Sequence, residues 1–212
     1  MKKLILSGYS GDLYKNMSNM TFPLMEKYAR KYNADSKLIE FANQERPASW
    51  QKIPAIKNEL DKYDLVLWID ADIVIINDSE NIFDNILTDK IQYLVQHYVN
   101  NFVVPNAGMW ILKKDMLEYL DPIWNNDKYI NHGWWEQASL LELMGFKIES
   151  YRTDLINKTA LYEKTQFLEQ KWNHHPHDTK SVEYPNFIHV TMYSDRLKTI
   201  ENIINTFNLE RA

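Results

Sequence analysis

Asp70 and Asp72 flank Ala71 directly after Leu65-Val66-Leu67-Trp68-Ile69, a run with no polar residue. An unpaired carboxylate is costly to bury, so two of them at the end of such a run call for a cation. Their oxygens suit a hard divalent ion, Mg²⁺ or Mn²⁺, which commonly keeps positions open for substrate phosphates. The alternative is that both aspartates cap a turn before Ile73. His189 lies in Phe187-Ile188-His189-Val190, and the 212 residues include no cysteine, so His, Asp and Glu are the strong ligand candidates. Carboxylate, imidazole and phosphate oxygens together make a reasonable Mn²⁺ sphere; the alternative is a hydrogen-bonded core histidine. Glu136 and Gln137 follow Trp134-Trp135 at an expected helix start. There the helix dipole alone favours an acid, or one of the two side chains projects beside a reacting carbon. Arg196 and Lys198 would hold a diphosphate leaving group, or lie solvated on a helix. The tract His174-His175-Pro176-His177 reads either as metal-ligating or as a polar loop.

These side chains need a frame, and hydrophobic periodicity supplies one. Leu4–Leu6 reads as a short buried strand opening into the turn-rich loop Ser7-Gly8-Tyr9-Ser10-Gly11. Met17, Met20, Leu24, Tyr28 and Tyr32 recur at helical spacing, with Pro23 expected to kink or delay that helix. A strand over 37–41 and a helix over 50–60 follow, Pro54 being tolerable near the helix start. Leu65–Ile69 has the continuous apolar character of a strand buried on both faces. Further strands are expected over 73–76, 91–97, 108–112 and 187–190, and helices over 115–124, 134–144 and 197–207. Gly145 would close the helix over 134–144 at its C′ position, and 146–151 would return to the sheet. Alternation of this kind predicts one α/β domain over 1–212, with a mostly parallel central sheet flanked by helices. Ligands of such sheets bind beyond the carboxyl ends of the strands, here Ser7-Gly8-Tyr9 and Asp70-Ala71-Asp72.

Composition narrows the partners. The chain has 24 Lys and Arg against 29 Asp and Glu, a net charge of −5. That balance argues against a general nucleic-acid binder. Met1-Lys2-Lys3-Leu4-Ile5-Leu6 begins like a signal peptide but its apolar run stops at Ser7-Gly8. No apolar run reaches the ~18 residues of a membrane span, so a cytoplasmic protein is expected. The sequence leaves oligomeric state open.

The motifs in order have a familiar look. Ser49-Trp50-Gln51-Lys52-Ile53 and then Tyr63-Asp64-Leu65-Val66-Leu67-Trp68-Ile69-Asp70-Ala71-Asp72 resemble the donor-binding half of GT-A glycosyltransferases. The nearest likeness is to glycosyltransferase family 34, the galactosyl-, mannosyl- and xylosyltransferases. Asn106-Ala107-Gly108 resembles that family's Asn-Thr-Gly segment, and Glu136-Gln137-Ala138-Ser139 its Asp-Gln-Ser-Ala segment. Lys171-Trp172-Asn173 and His189 fall in the same order, so the resemblance covers roughly residues 1–200.

The resemblance implies a GT-A Rossmann-like fold and transfer of a sugar from a nucleotide-diphosphate donor, UDP-linked first and GDP-mannose second, to a glycan or other acceptor. It implies Mn²⁺ (or Mg²⁺) on Asp72 and His189, with Asp70 holding the ribose or a metal-bound water. Ser7, Gly8, Tyr9, Lys52 and Ala71 would contact the nucleotide, and Asn106 and Gly108 would line the sugar pocket. Gln137, with Glu136, would sit near the anomeric carbon, and transfer would retain its configuration. Arg196 or Lys198 would meet the phosphates. Two departures stand out: Trp135 replaces an acid, and the segment after His189 lacks the family's Gly. Two other readings compete. Asp70-Ala71-Asp72-Ile73-Val74 also resembles the signature of haloacid-dehalogenase-type Mg²⁺ phosphatases, with Asp70 as nucleophile and Asp72 as general acid, although that motif normally lies on the first strand. A non-catalytic carbohydrate-binding protein on the same fold is the other.

Overall fold

Leu4 and Leu6 face one side of their strand and Ile5 the other, and all three are buried. A strand buried on both faces needs a covering layer on each side. The computed structural model, which describes residues 1–42, 46–99, 102–180 and 182–210, supplies both. Strand β1 (Lys3–Tyr9) leads through helix α1 (Gly11–Lys31) to β2 (Asp35–Glu40). A 3₁₀ turn at Ala48–Gln51 runs into α2 (Lys52–Leu60), followed by β3 (Leu65–Ile69) and β4 (Ile73–Ile75). Next come β5 (Gln92–Val99), β6 (Phe102–Lys113), α3 (Leu117–Trp124) and α4 (Trp135–Leu143). The chain closes with β7 (Phe146–Glu149), β8 (Arg152–Leu155), α5 (Ala160–Glu163), β9 (Thr165–Leu168), β10 (Phe187–His189) and α6 (Arg196–Thr206).

The central sheet has the order β2-β1-β3-β6-β5-β9. β6 is antiparallel to both of its neighbours, and every other pairing in this sheet is parallel. The sheet is thus mostly parallel, with β6 the exception. On one face Leu4, Leu6, Val66 and Trp68 pack with Ile53 and Ile56 of α2, Leu120 of α3 and Leu141 of α4. On the other, Ile5, Leu65, Leu67 and Ile69 pack with Met17 and Met25 of α1 and Ile200 and Ile204 of α6. β4 and β10 form a separate antiparallel pair over this second face.

Several local expectations change. Ser7-Gly8-Tyr9 is strand, not loop: the parallel ladder with β2 runs on to Tyr9 opposite Glu40. Pro23 lies inside α1 and neither delays nor ends it. Residues 146–151 do not rejoin the central sheet; β7 pairs only with β8, in a hairpin of its own. β9 escapes notice in the sequence because it is a half-buried edge strand of mixed polarity. Among the described residues no helix is long and apolar enough to cross a membrane.

Candidate active site

β3 ends at Ile69, opposite Met109 of β6, and the Asp70 N–H continues the ladder by donating to the Gly108 carbonyl at 2.8 Å. A turn follows, closed by the Ile73 N–H on the Asp70 carbonyl at 3.1 Å. The Thr21 hydroxyl of α1 steadies it by donating to the Ala71 carbonyl at 2.8 Å. The chain then enters β4, whose antiparallel register with β10 sets Ile73 opposite His189. The Val190 N–H donates to the Asp72 carbonyl at 2.8 Å. One short strand pair thereby brings Asp72 and His189 together from distant parts of the sequence.

Their side chains meet: His189 Nε2 lies 3.3 Å from Asp72 Oδ1. Asp72 Oδ2 accepts from Arg196 Nη1 at 3.0 Å, and Arg196 Nη2 donates to the Tyr14 hydroxyl of α1 at 3.1 Å. Behind the ring runs a chain of amides that settles its protonation. Asn106 Oδ1 accepts from the Gly108 N–H at 2.8 Å, so the Asn173 atom 2.9 Å from it is the amide nitrogen. Asn173 Oδ1 then faces His189 Nδ1 at 3.1 Å. Nδ1 therefore carries a proton, and Nε2 is the nitrogen that gains or loses one.

Asp70 turns one of its two oxygens away from this pair. Its Oδ1 accepts from Trp68 Nε1 at 2.6 Å and from Lys52 Nζ at 3.0 Å. Lys52 Nζ also pairs with Glu136 Oε1 at 2.9 Å and donates to the Ala107 carbonyl at 3.3 Å. Lys52 and Glu136 are both buried, and Glu136 Oε2 has no hydrogen-bond partner among the described residues. Gln137 Oε1 accepts from the Ala107 N–H at 2.9 Å, tying α4 to the segment of β6 that carries Asn106 and Gly108. Just before them, Trp135 adopts a φ of +44°, a left-handed conformation unusual for a bulky side chain.

The donors fit a divalent ion. One ligand atom from each of Asp70, Asp72 and His189 lies within 4.8 Å of the other two. Two ligands about 2.1 Å from one ion sit roughly 3.0–3.4 Å apart for angles from octahedral to tetrahedral, which brackets the 3.3 Å between Asp72 and His189. A Cβ at Gly108 would come within 2.6 Å of His189 Cε1, 2.8 Å of Asn106 Oδ1 and 3.1 Å of Asp70 Oδ2. Only glycine leaves this cradle intact.

Charge follows the same geometry. Burial alone would raise the Asp72 carboxyl, but His189 and Arg196 outweigh it and hold it down at about 2. Burial would lower the His189 imidazole, yet the facing Asp72 raises it above the ordinary histidine value. Lys52 is likewise opposed by burial and raised by Asp70 and Glu136. Glu136 is raised, because burial exceeds the pull of the ammonium it shares with Asp70.

The sequence candidates divide. Asp70, Asp72, His189 and Arg196 converge, with Asn106 and Gly108 beneath them. Lys52 and Glu136 form a buried ion pair beside the group, whereas the resemblance placed Lys52 on the nucleotide. Lys198 is exposed, and its backbone N–H caps α6 by donating to Asp195 Oδ1 at 3.0 Å. Ser7 is buried with its hydroxyl unpartnered among the described residues. A Cβ on Gly8 would strike the Phe41 ring at 2.4 Å, and the Tyr9 hydroxyl donates to Glu40 at 3.1 Å. Sequence reasoning assigned no role to Asn173, Tyr14 or Thr21; Asn173 alone carried a signal, in Lys171-Trp172-Asn173.

Residues 15–134, more than half of the chain, match the sequence model of the galactosyl transferase GMA12/MNN10 family. The chain belongs to that family. No curated protein matches the sequence. Solved structures extend the likeness to nearly the whole fold. A glycosyltransferase involved in glycosylation of the major capsid of PBCV-1 superposes with a TM-score of 0.71 at 16% identity, covering 96% of this chain and 98% of that one. GlyE of Streptococcus pneumoniae TIGR4 gives 0.62 at 11% identity over 100% of this chain and 65% of that one. The galactosyltransferase LgtC, in complex with donor and acceptor sugar analogs, gives 0.60 at 10% identity over 96% and 95%. These likenesses establish a GT-A glycosyltransferase fold for this member of the galactosyl transferase family. Membership also sets aside the phosphatase reading, in which the aspartate motif opens the domain: here it follows the third strand.

Proposed function

We propose that residues 1–212 act as one catalytic domain that transfers a hexose from a nucleotide-diphosphate sugar, UDP-linked in the first instance, to a glycan or other acceptor. The observation that carries this reading is the meeting of Asp72 with His189 through the β4–β10 pair, in a fold shared with glycosyltransferases. Asp72 and His189, with Asp70 beside them, would hold Mn²⁺ or Mg²⁺. When bound, that ion would supply Lewis-acid stabilisation of the diphosphate leaving group. Arg196, partly exposed and anchored by Tyr14, sets a fixed positive charge at the same place. Lys52 locks Asp70 toward Trp68, so that the aspartate presents its other oxygen, Oδ2, over Gly108. Gln137 and Glu136 are the candidates for the reacting sugar face. Gln137 is the better placed: its Oε1 keeps a second lone pair beyond its bond to Ala107, while Glu136 is committed to Lys52. A polar carbonyl there would stabilise oxocarbenium character, and transfer would proceed with retention.

A thermal-shift screen of nucleotide sugars with and without Mn²⁺ tests this, because a ligand of the folded state raises the melting temperature. The expected result is a Mn²⁺-dependent rise with one donor, lost in Asp72→Asn together with sugar transfer. Transfer at the wild-type rate by Asp72→Asn would refute the metal assignment. Glycan binding indifferent to Mn²⁺ and UDP would favour the non-catalytic alternative.

A further inference from the structure

The histidine tract at 174–177 lends the site described above only a backbone contact, the His174 carbonyl accepting from the His189 N–H at 2.8 Å, and its His175 side chain joins a group of its own. Asp178 donates its N–H to the His175 carbonyl at 2.9 Å, closing a turn. Thr179 pins that turn to β5, its N–H and its hydroxyl both donating to the Tyr98 carbonyl at 2.9 Å. His175 thereby meets His97 of β5, edge to face, with ring centres 5.2 Å apart. Asp178 Oδ2 lies 3.4 Å from His97 Nδ1 and accepts from Gln170 Nε2 at 2.9 Å. One ligand atom from each of His97, His175 and Asp178 is within 4.8 Å of the other two.

The group is buried, with His97 4% and His175 6% exposed and the Asp178 side chain 1%. Within it Asp178 Oδ1 and His97 Nε2 have no hydrogen-bond partner among the described residues. A buried carboxylate oxygen without a donor is costly, and the great majority of such atoms find a partner. A 3.4 Å gap is long for a charge-assisted hydrogen bond. It matches the roughly 3.3–3.4 Å between two ligands held tetrahedrally about 2.0–2.1 Å from one ion, which makes Nδ1 and Oδ2 the ligating pair and leaves Oδ1 free to join the same ion as the second oxygen of a bidentate carboxylate.

We propose that His97, His175 and Asp178 form a second divalent-cation site, separate from Asp72 and His189. Two imidazoles and one carboxylate select a borderline ion of the zinc type, Zn²⁺ or Co²⁺, over Mg²⁺. Three protein ligands leave a coordination position for a further group. The His177 N–H donates to His175 Nδ1 at 3.2 Å, and this contact yields where Nδ1 is the ligating atom. The two centres are neighbours, since the His189 ring centre is 6.5 Å from that of His97 and 6.4 Å from that of His175.

The test uses the whole chain carrying Asp72→Asn, titrated with Zn²⁺ by calorimetry and with Co²⁺ by visible absorption, without nucleotide. One equivalent is expected per chain, with the intense visible band of tetrahedral Co²⁺ and a Zn²⁺-dependent rise in melting temperature. Adding His97→Gln or Asp178→Asn is expected to weaken Zn²⁺ binding roughly a hundredfold, circular dichroism confirming that each chain is folded. Less than one equivalent in the Asp72→Asn chain overturns the site, as does affinity unchanged by either substitution. Should one substituted chain fail to fold, the other decides. The reading of the protein as a transferase stands or falls independently.

Discussion

His189 and Asp72 each hold the other in its charged form, and this gives the proposed metal binding a definite expected pH dependence. The His189 folded value lies above its ordinary 6.5, so its contribution to stability is complete below 6.5 and fades as pH rises through the raised value. The Asp72 value lies below its ordinary 3.8, so its contribution is complete above 3.8 and fades as pH falls toward about 2. The metal-free chain thus draws most from this pair between those two ordinary values. A cation must displace the Nε2 proton, so Mn²⁺ affinity is expected to fall about tenfold per pH unit below the raised His189 value. Calorimetry across a pH series checks this, and an affinity flat from about pH 6 to 8 would contradict it. Asn173 fixes the ring through Nδ1, so Asn173→Ala is expected to weaken Mn²⁺ binding about 10–100-fold in a folded chain. The aspartates are legible in the sequence because paired charge after a wholly apolar run has few structural explanations. Asn173 and Tyr14 are not legible in the same way: their roles are made by a strand pairing and a helix contact that no local spacing encodes.

At the scale of elements, the periodic patterns announce most of the central sheet and its helices, and β3 falls on the residues that its unbroken apolar character marks. What stays hidden is pairing. Ile73–Ile75 and Phe187–His189 look like two more central strands, yet they pair with each other outside the main sheet. That pairing is what builds the candidate metal centre. Gly108 on β6 is the floor of the same centre, and Gly108→Ala would drive a methyl against His189 and Asn106. The expected result is a 10–100-fold loss of Mn²⁺ affinity with β6 intact by circular dichroism; unchanged affinity would show that the cradle has slack. Gly145 does separate work as the stop of α4. It sits at φ +97°, and a Cβ there would lie 1.6 Å from the Asn157 carbonyl oxygen. Gly145→Ala should therefore cost more than the ~1 kcal/mol of the backbone conformation alone, read as a lowered urea midpoint.

Across the whole molecule, Lys52 joins three elements in one of the two cores. It stands at the start of α2, and its ammonium meets Asp70 after β3 and Glu136 of α4. Asp70 keeps 30% of its side chain exposed while Glu136 keeps 4%, so Glu136 depends more on the lysine. Replacing Lys52 by Met leaves that carboxylate buried without its cation, a loss of about 3–5 kcal/mol for a broken buried pair. The loss should depend on pH. The folded value of Glu136 is already raised above its ordinary 4.5, and without Lys52 the upward push of burial is opposed only by a backbone hydrogen bond. A carboxyl raised in the folded state stabilises the fold when protonated, so this contribution fades as pH rises through the raised value. Lys52→Met is accordingly expected to be more stable near pH 5 than near pH 8 in urea denaturation. Adding Glu136→Gln should return part of the stability at pH 8 and flatten the dependence, since the amide carries no charge to bury. A Lys52→Met chain equally stable at both pH values would show that water reaches Glu136 and that this ion pair is not what holds α2, β3 and α4 in register around the candidate site.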